Sequence, residues 1–169
     1  MSASRDVLET ARDKGGLARA FARAARAPVS VPPDLPGLLE AALVRRIGEL
    51  IGLTRRAGQA VAGYEKAREW LRSGRARLIL EASDGSVAEH ARFLSGNAGK
   101  VPVVLPLPAE ALGRMFGRDR VVHVAIAPGR LAERLHIEAD RLAGLRGQQM
   151  SGAGLPDGDR SGENRAATG

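Results

Sequence analysis

Residues 52–85 read GLTRRAGQAVAGYEKAREWLRSGRARLILEASDG, and the glycines cut this run into elements. A helix ends at Gly58, a short strand covers Gln59, Ala60 and Val61, and Gly63 turns the chain into a helix starting at Tyr64. Gly74 stops that helix, and an apolar strand fills 77–82. Glycine at each stop suits the left-handed residue that terminates a helix. The order sets the backbone N–H groups at the start of the Tyr64 helix beside Arg55, Arg56 and Lys66. A helix N-terminus ringed by cations is a seat for phosphate.

Upstream, Asp34 caps a helix that tolerates Pro36 in its first turn and runs to Ala57. Leu35, Leu39, Leu43, Ile47, Leu50 and Thr54 form its predicted buried stripe. Gly48 and Gly52 lie on its outer side, where something approaches the backbone or the helix kinks. Before it, Pro28, Pro32 and Pro33 make a stiff linker, and residues 6–27 read as helix interrupted at Gly15-Gly16. Downstream, Ser86-Val87-Ala88-Glu89 fits a capping box opening a helix to Leu94. Apolar strands follow at 101–105 and 121–127, with a helix to Phe116 between them and a last helix after Pro128. Short apolar strands alternating with helices predict an α/β fold whose sheet is covered on both faces. The domain is expected over 34–146, after an N-terminal helical piece and linker over 1–33. The Gly-rich, charged segment 147–169 is expected to be disordered.

The 169 residues carry 26 Lys+Arg against 19 Asp+Glu, a net charge of +7. The whole excess lies in residues 1–77, with 15 basic and 8 acidic side chains, while residues 78–169 hold 11 of each. A one-sided basic field suggests a polyanionic partner, nucleic acid before membrane. Only Lys14, Lys66 and Lys100 are lysine; arginine forks onto phosphate, although an Arg-favouring genome gives the same ratio. Without cysteine, disulfides and thiolate chemistry are excluded. No apolar run approaches the ~20 residues of a spanning helix, and the N-terminus lacks the apolar core of a signal peptide. A cytoplasmic protein is expected.

Motifs for catalysis fail on spacing. In Ser95-Gly96-Asn97-Ala98-Gly99-Lys100 a phosphate loop would need a glycine at Leu94 and a hydroxyl residue at Val101, so the segment reads as a helix-to-strand turn. His90, His123 and His136 fall on different elements with no metal spacing and are expected to be solvated or packed on strands. Glu81 and Asp84 near a strand end suit acid–base work, but Asp84 reads better as the cap of the next helix. No nucleophile triad or dinucleotide fingerprint is present. The arginine groups Arg45-Arg46, Arg55-Arg56, Arg72/Arg75/Arg77 and Arg114/Arg118/Arg120 fit a binding surface better than the purely structural pairing of cations with helix C-termini, because the basic field is one-sided.

Gly58-Gln59-Ala60-Val61-Ala62-Gly63, the helix from Tyr64, Gly74-x-Ala76-x-Leu78 and Glu81-Ala82-x-Asp84 resemble the ribosomal-protein family of kink-turn RNA binders (the L-seven-Ae and L-thirty-e type). Val101-Pro102-Val103-Val104 and Leu112-Gly113-Arg114-Met115-Phe116-Gly117 continue the resemblance in order, as far as Leu145. It implies a three-layer α/β/α sandwich with a short-stranded mixed sheet. It also implies an RNA site joining the start of the second helix, at Gly63, Tyr64, Glu65 and Lys66, to a loop at Arg118, Asp119, Arg120 and Val121. Glu65 stands where the kink-turn binders have Asn, Lys66 where they have Glu, and Glu69 where they usually have Lys. An Asn amide donates to a base edge and a carboxylate does not, so RNA binding is implied more firmly than kink-turn readout. Residues 6–21 are similar to the end of the YlxR-like nucleic-acid-binding domain without its Arg/Cys-containing front part; either the chain begins late or that domain has degenerated.

The expectation is a non-enzymatic, cofactor-free binder of structured RNA, ribosomal or otherwise. Arg55, Arg56, Lys66, Arg118 and Arg120 would hold phosphates, Gly63 would admit the backbone, and Tyr64 would stack on a base; Gln59 and Arg114 complete the surface. The rival readings are a protein-interaction module on a ribosome- or transcription-associated partner, docking at Gly48 and Gly52, and a substrate-recognition domain working with an RNA methyltransferase.

Overall fold

The computed structural model describes residues 5–97 and 99–147. The expected disorder after Gly147 lies outside the described residues. Helices α1 (Arg5–Asp13) and α2 (Gly16–Ala25) come first, separated at Gly15. Neither helix has a fully buried residue. They are tied to the rest by Arg5 on Glu40 at 3.2 Å and by the Arg12 guanidinium on the Pro33 carbonyl at 2.5 Å.

The sandwich is α3 (Leu35–Arg56), β1 (Ala60–Ala62), α4 (Tyr64–Arg72), β2 (Leu78–Glu81), α5 (Val87–Leu94), β3 (Val103–Val104), α6 (Ala109–Phe116), β4 (His123–Ile126) and α7 (Arg130–Leu145). The strand order is β1-β4-β2-β3. β4 lies antiparallel to both β1 and β2, whereas β2 and β3 run parallel. The sheet is therefore mixed.

Strand alternation sorts side chains into two cores, one on each face of the sheet. Leu78 and Leu80 of β2 and Val124 and Ile126 of β4 pack with Ile47, Leu50 and Ile51 of α3, Leu112 of α6 and Leu135 and Leu142 of α7. Ile79 and Ala125 face the other way, against Ala67 and Trp70 of α4 and Phe93 of α5. This is the three-layer α/β/α arrangement that the sequence predicted.

Local chemistry explains the helix boundaries. Asp34 accepts a hydrogen bond from Gly37 N at 3.1 Å and opens α3, and Ser86 Oγ accepts from Glu89 N at 3.1 Å and opens α5. Gly58, Gly74 and Gly117 take left-handed conformations just after α3, α4 and α6. Two expectations change. Asp84 does not cap α5; its Oδ1 accepts from Ala109 N at 2.7 Å and so opens α6. The α3 stripe is buried only from its middle onward, at Ile47, Leu50, Ile51 and Thr54, while Leu39 is 38% exposed. The reason is length: 22 residues make a helix of about 33 Å, which overshoots strands of two to four residues.

Candidate nucleic-acid interface

Gly63 takes φ 102° at the end of β1, a conformation that suits glycine, and its N–H donates to the His123 carbonyl at 2.9 Å. The chain then enters α4 with no side chain capping it, so the first N–H groups of the helix are left to solvent or ligand. Over this opening lies Arg118. Its guanidinium donates to the Ala62 carbonyl at 3.4 Å and stands 3.1 Å from where a Cβ on Gly63 would be. Glu65 occupies the first turn, where a carboxylate favours the helix and disfavours a phosphate.

The 117–122 loop owes its position to α6. Gly117 reverses the chain, Arg118 N donates to the Gly113 carbonyl at 3.0 Å, and the backbone of 118–120 crosses directly over Gly113. Val121 is buried and its N–H donates to the Ala109 carbonyl at 3.0 Å, so it anchors the loop from inside. Arg120 reaches Asp84 at 3.7 Å, and Arg114 pairs with Glu110 at 3.6 Å. Arg55 donates to the Met115 carbonyl at 2.6 Å, which closes the C-terminus of α6. Among the described residues, Arg55, Arg56, Lys66 and Arg118 have no carboxylate partner, and Asp119 no cationic one.

The fold thus brings Arg118 to Gly63 at the entry to α4, just ahead of Tyr64, Glu65 and Lys66, while Asp119 and Arg120 share its loop and Arg120 turns to Asp84. Gln59 stands apart. It precedes β1, four residues and so about 13 Å from Gly63 along an extended chain, and its backbone pairs with Ala127 at the far end of β4. Tyr64 is only half-exposed: its ring meets Phe93 edge-on at 5.7 Å and His123 at 5.5 Å, with the Arg68 guanidinium 6.0 Å over it.

Beneath Tyr64 lies a group that the sequence did not disclose. Glu81, 1% exposed, receives His123 Nδ1 on one oxygen at 3.2 Å and His90 Nδ1 on the other at 3.3 Å. The His123 contact is a hydrogen bond, and since an ionised carboxylate only accepts, its Nδ1 is the donor when Glu81 is charged. Both Nε2 atoms are buried and without a protein partner. Phe93 stacks on the His123 ring at 4.2 Å, and His90 Nε2 packs on Gly85 so closely that a Cβ there would clash. The carboxylate lies between the two rings, and among the described residues no group of His, Cys, Asp or Glu is placed to hold a metal ion. One signal was readable: Glu81 and His123 are the polar ends of two apolar strands, and antiparallel pairing sets them opposite each other.

Among the described residues no helix is long and apolar enough to cross a membrane. No family model matches the chain, and no curated protein does. Among solved structures it is similar to a protein of unknown function from Bacillus halodurans, at 21% identity over 56% of this chain and 97% of that one, with a TM-score of 0.49. It is also similar to a 15.5 kD RNA-binding protein of Giardia lamblia, at 19% identity over 60% of this chain and 90% of that one, with a TM-score of 0.48.

Proposed function

We propose that this chain is a non-catalytic, cytoplasmic RNA-binding protein that grips folded RNA, ribosomal or otherwise, at the start of α4 and the 117–122 loop. One observation carries the reading: the uncapped N-terminus of α4 opens beside a glycine that leaves the backbone bare, under Arg118, and neither Arg118 nor Lys66 in the first turn has an acidic partner among the described residues. Backbone N–H groups and a helix dipole would seat one phosphate, and Arg118, Lys66 and Arg56 would hold its neighbours. Arg55 has a second duty at the Met115 carbonyl, so its removal would also loosen α6. Glu65 would make the grip one of shape and charge more than base-edge reading.

The protein-docking alternative loses one of its two contacts. The Met115 methyl fills the space over Gly48, 2.9 Å from where a Cβ would stand, so that backbone is not open to a partner.

A salt titration of binding to total ribosomal RNA tests the reading. Four phosphate contacts give a log-log slope of about −3, and replacing Arg56 and Lys66 together by alanine should lower its magnitude by about 1.5. Binding that ignores salt would refute it.

A further inference from the structure

Beyond the start of α4, a groove of about 480 Å³ runs between the second half of α4 and the loop that follows α5. Leu71 and Val101 give it an apolar floor, and Arg68, Arg72 and Lys100 line its sides together with Ser95; no carboxylate lines it. The neighbouring depression on the outer side of α4 differs, since Glu65 and Glu69 share it with the cations.

The cations of the groove are not equivalent. Arg68 is locked. It donates to the carbonyls of Arg92, at 2.8 Å, and Phe93, and to Ser95 Oγ at 2.9 Å, closing the C-terminus of α5. Arg72 and Lys100 have no acidic partner among the described residues. The loop that carries Lys100 is held by buried Asn97, whose amide donates to the Val101 carbonyl at 3.1 Å and accepts from Val101 N at 3.2 Å. Two cations without acidic partners among the described residues thus line one groove with apolar side chains, and the loop that carries one of them is already held by hydrogen bonds.

Position links this groove to the interface. Tyr64, Arg68 and Arg72 lie one helical turn apart on one side of α4, so Arg72 is about 12 Å from the helix start, the reach of a few nucleotides. We propose that the groove between α4 and the loop after α5 is a second RNA subsite that takes one nucleotide of a single strand leaving the folded part. Its base would lie on Leu71 and Val101, and its phosphate between Arg72 and Lys100. Apolar floor and cationic rim are the two halves that a nucleotide presents, and the volume falls in the range of small-ligand sites, about 300–1,000 Å³. The inference rests on the RNA-binding reading above.

The test uses the full chain and two fluorescent RNAs, a hairpin with blunt ends and the same hairpin with a single-stranded oligouridine extension of about 8 nucleotides, within the range one binding module covers. The extended hairpin should bind about 10-fold tighter at equal salt. Arg72→Ala with Lys100→Ala should erase that advantage, lower the slope for the extended RNA by about 1 and leave the blunt hairpin unchanged. Both side chains are exposed, and an unchanged thermal unfolding curve will show that the fold survives. Equal weakening of both RNAs would overturn the subsite in favour of a general electrostatic field. An oligoglutamate peptide that binds the groove more tightly than oligouridine of equal charge would overturn it in favour of an acidic protein partner. Should neither hairpin bind, the RNA-binding reading fails by itself. Uridine monophosphate then tests the groove alone: shifts of the Ser95 and Val101 amide signals, lost in the double variant, sustain it, and their absence overturns it.

Discussion

Replacing Gly113 by alanine would test the link between α6 and the interface. In an ordinary helix interior the change gains about 1 kcal/mol of helix propensity. Here the new Cβ would stand 2.5 Å from the Arg118 carbonyl, 2.7 Å from that of Asp119 and 2.8 Å from Arg120 N. All three are backbone atoms, so no rotamer change relieves the contact and the loop itself must move. Overpacking of this kind costs about 1–3 kcal/mol, and three simultaneous backbone contacts argue for the upper end. The balance is a net loss of about 2 kcal/mol, set by these two opposing effects. In urea the midpoint should fall by about 1 M with an unchanged slope, the slope for a domain of this size being about 1–3 kcal/mol/M. The displaced loop carries Arg118 away from Gly63, so RNA affinity should also fall, with a salt slope smaller by about 1. A variant as stable as the parent, or more stable, would show that the loop does not rest on Gly113, and the placement of Arg118 would go with it.

The same exchange elsewhere should behave differently. At Gly52 a Cβ meets only Arg56 Nη1 at 3.4 Å, so Gly52→Ala should raise stability by up to about 1 kcal/mol in the same urea assay. Glu81→Ala leaves the buried His123 ring without its acceptor and removes the group that His90 packs on, and should cost about 3 kcal/mol, whereas Glu81→Gln keeps an acceptor oxygen for His123 and should cost about 1–2 kcal/mol. Equal losses for the two would contradict the hydrogen-bond assignment. Glu65→Asn removes a negative charge beside the helix N-terminus and adds a donor, so it should tighten binding to a kink-turn by about 1–3 kcal/mol and to a straight duplex by less. Equal gains on both RNAs would mean that the side chain never reaches a base edge.

Most of the architecture was readable because local rules and tertiary packing agree here. The helix starting at Tyr64 has its glycine before it and another after it, and it forms over Tyr64–Arg72. The strands came out shorter than their apolar runs: Val101 and Val121 flank β3 and β4 without joining them. Apolar character marks burial, and both residues are inside or half-inside, but Val121 spends its N–H on the Ala109 carbonyl, not on a neighbouring strand. A hydrophobicity pattern reports which side chains are covered and is silent on which backbone groups pair. Length misled in the opposite sense at α3, where the periodic leucines continue past the point at which any sheet remains to cover them.

The candidate site was legible in its charges and illegible in its supports. Arg118 and Gly63 can each be picked out as types of residue suited to phosphate, yet what holds them together is a carbonyl at Ala62, a glycine on α6 and a hydrogen bond from Gly63 to His123, none of which has a sequence signature. The Glu81 cluster shows the limit most sharply. Its three members are separated by 9 and 33 residues, and each taken singly favours an ordinary explanation. Their convergence follows from strand register: Glu81 opposes His123 because Leu80 opposes Val124, and α5 then delivers His90 over the end of β2. A carboxylate and an imidazole opposed on one buried face cannot be left unpaired without a cost of about 1–3 kcal/mol for each orphaned group. The register that makes the core also obliges these polar groups to find one another, directly under the tyrosine at the start of α4.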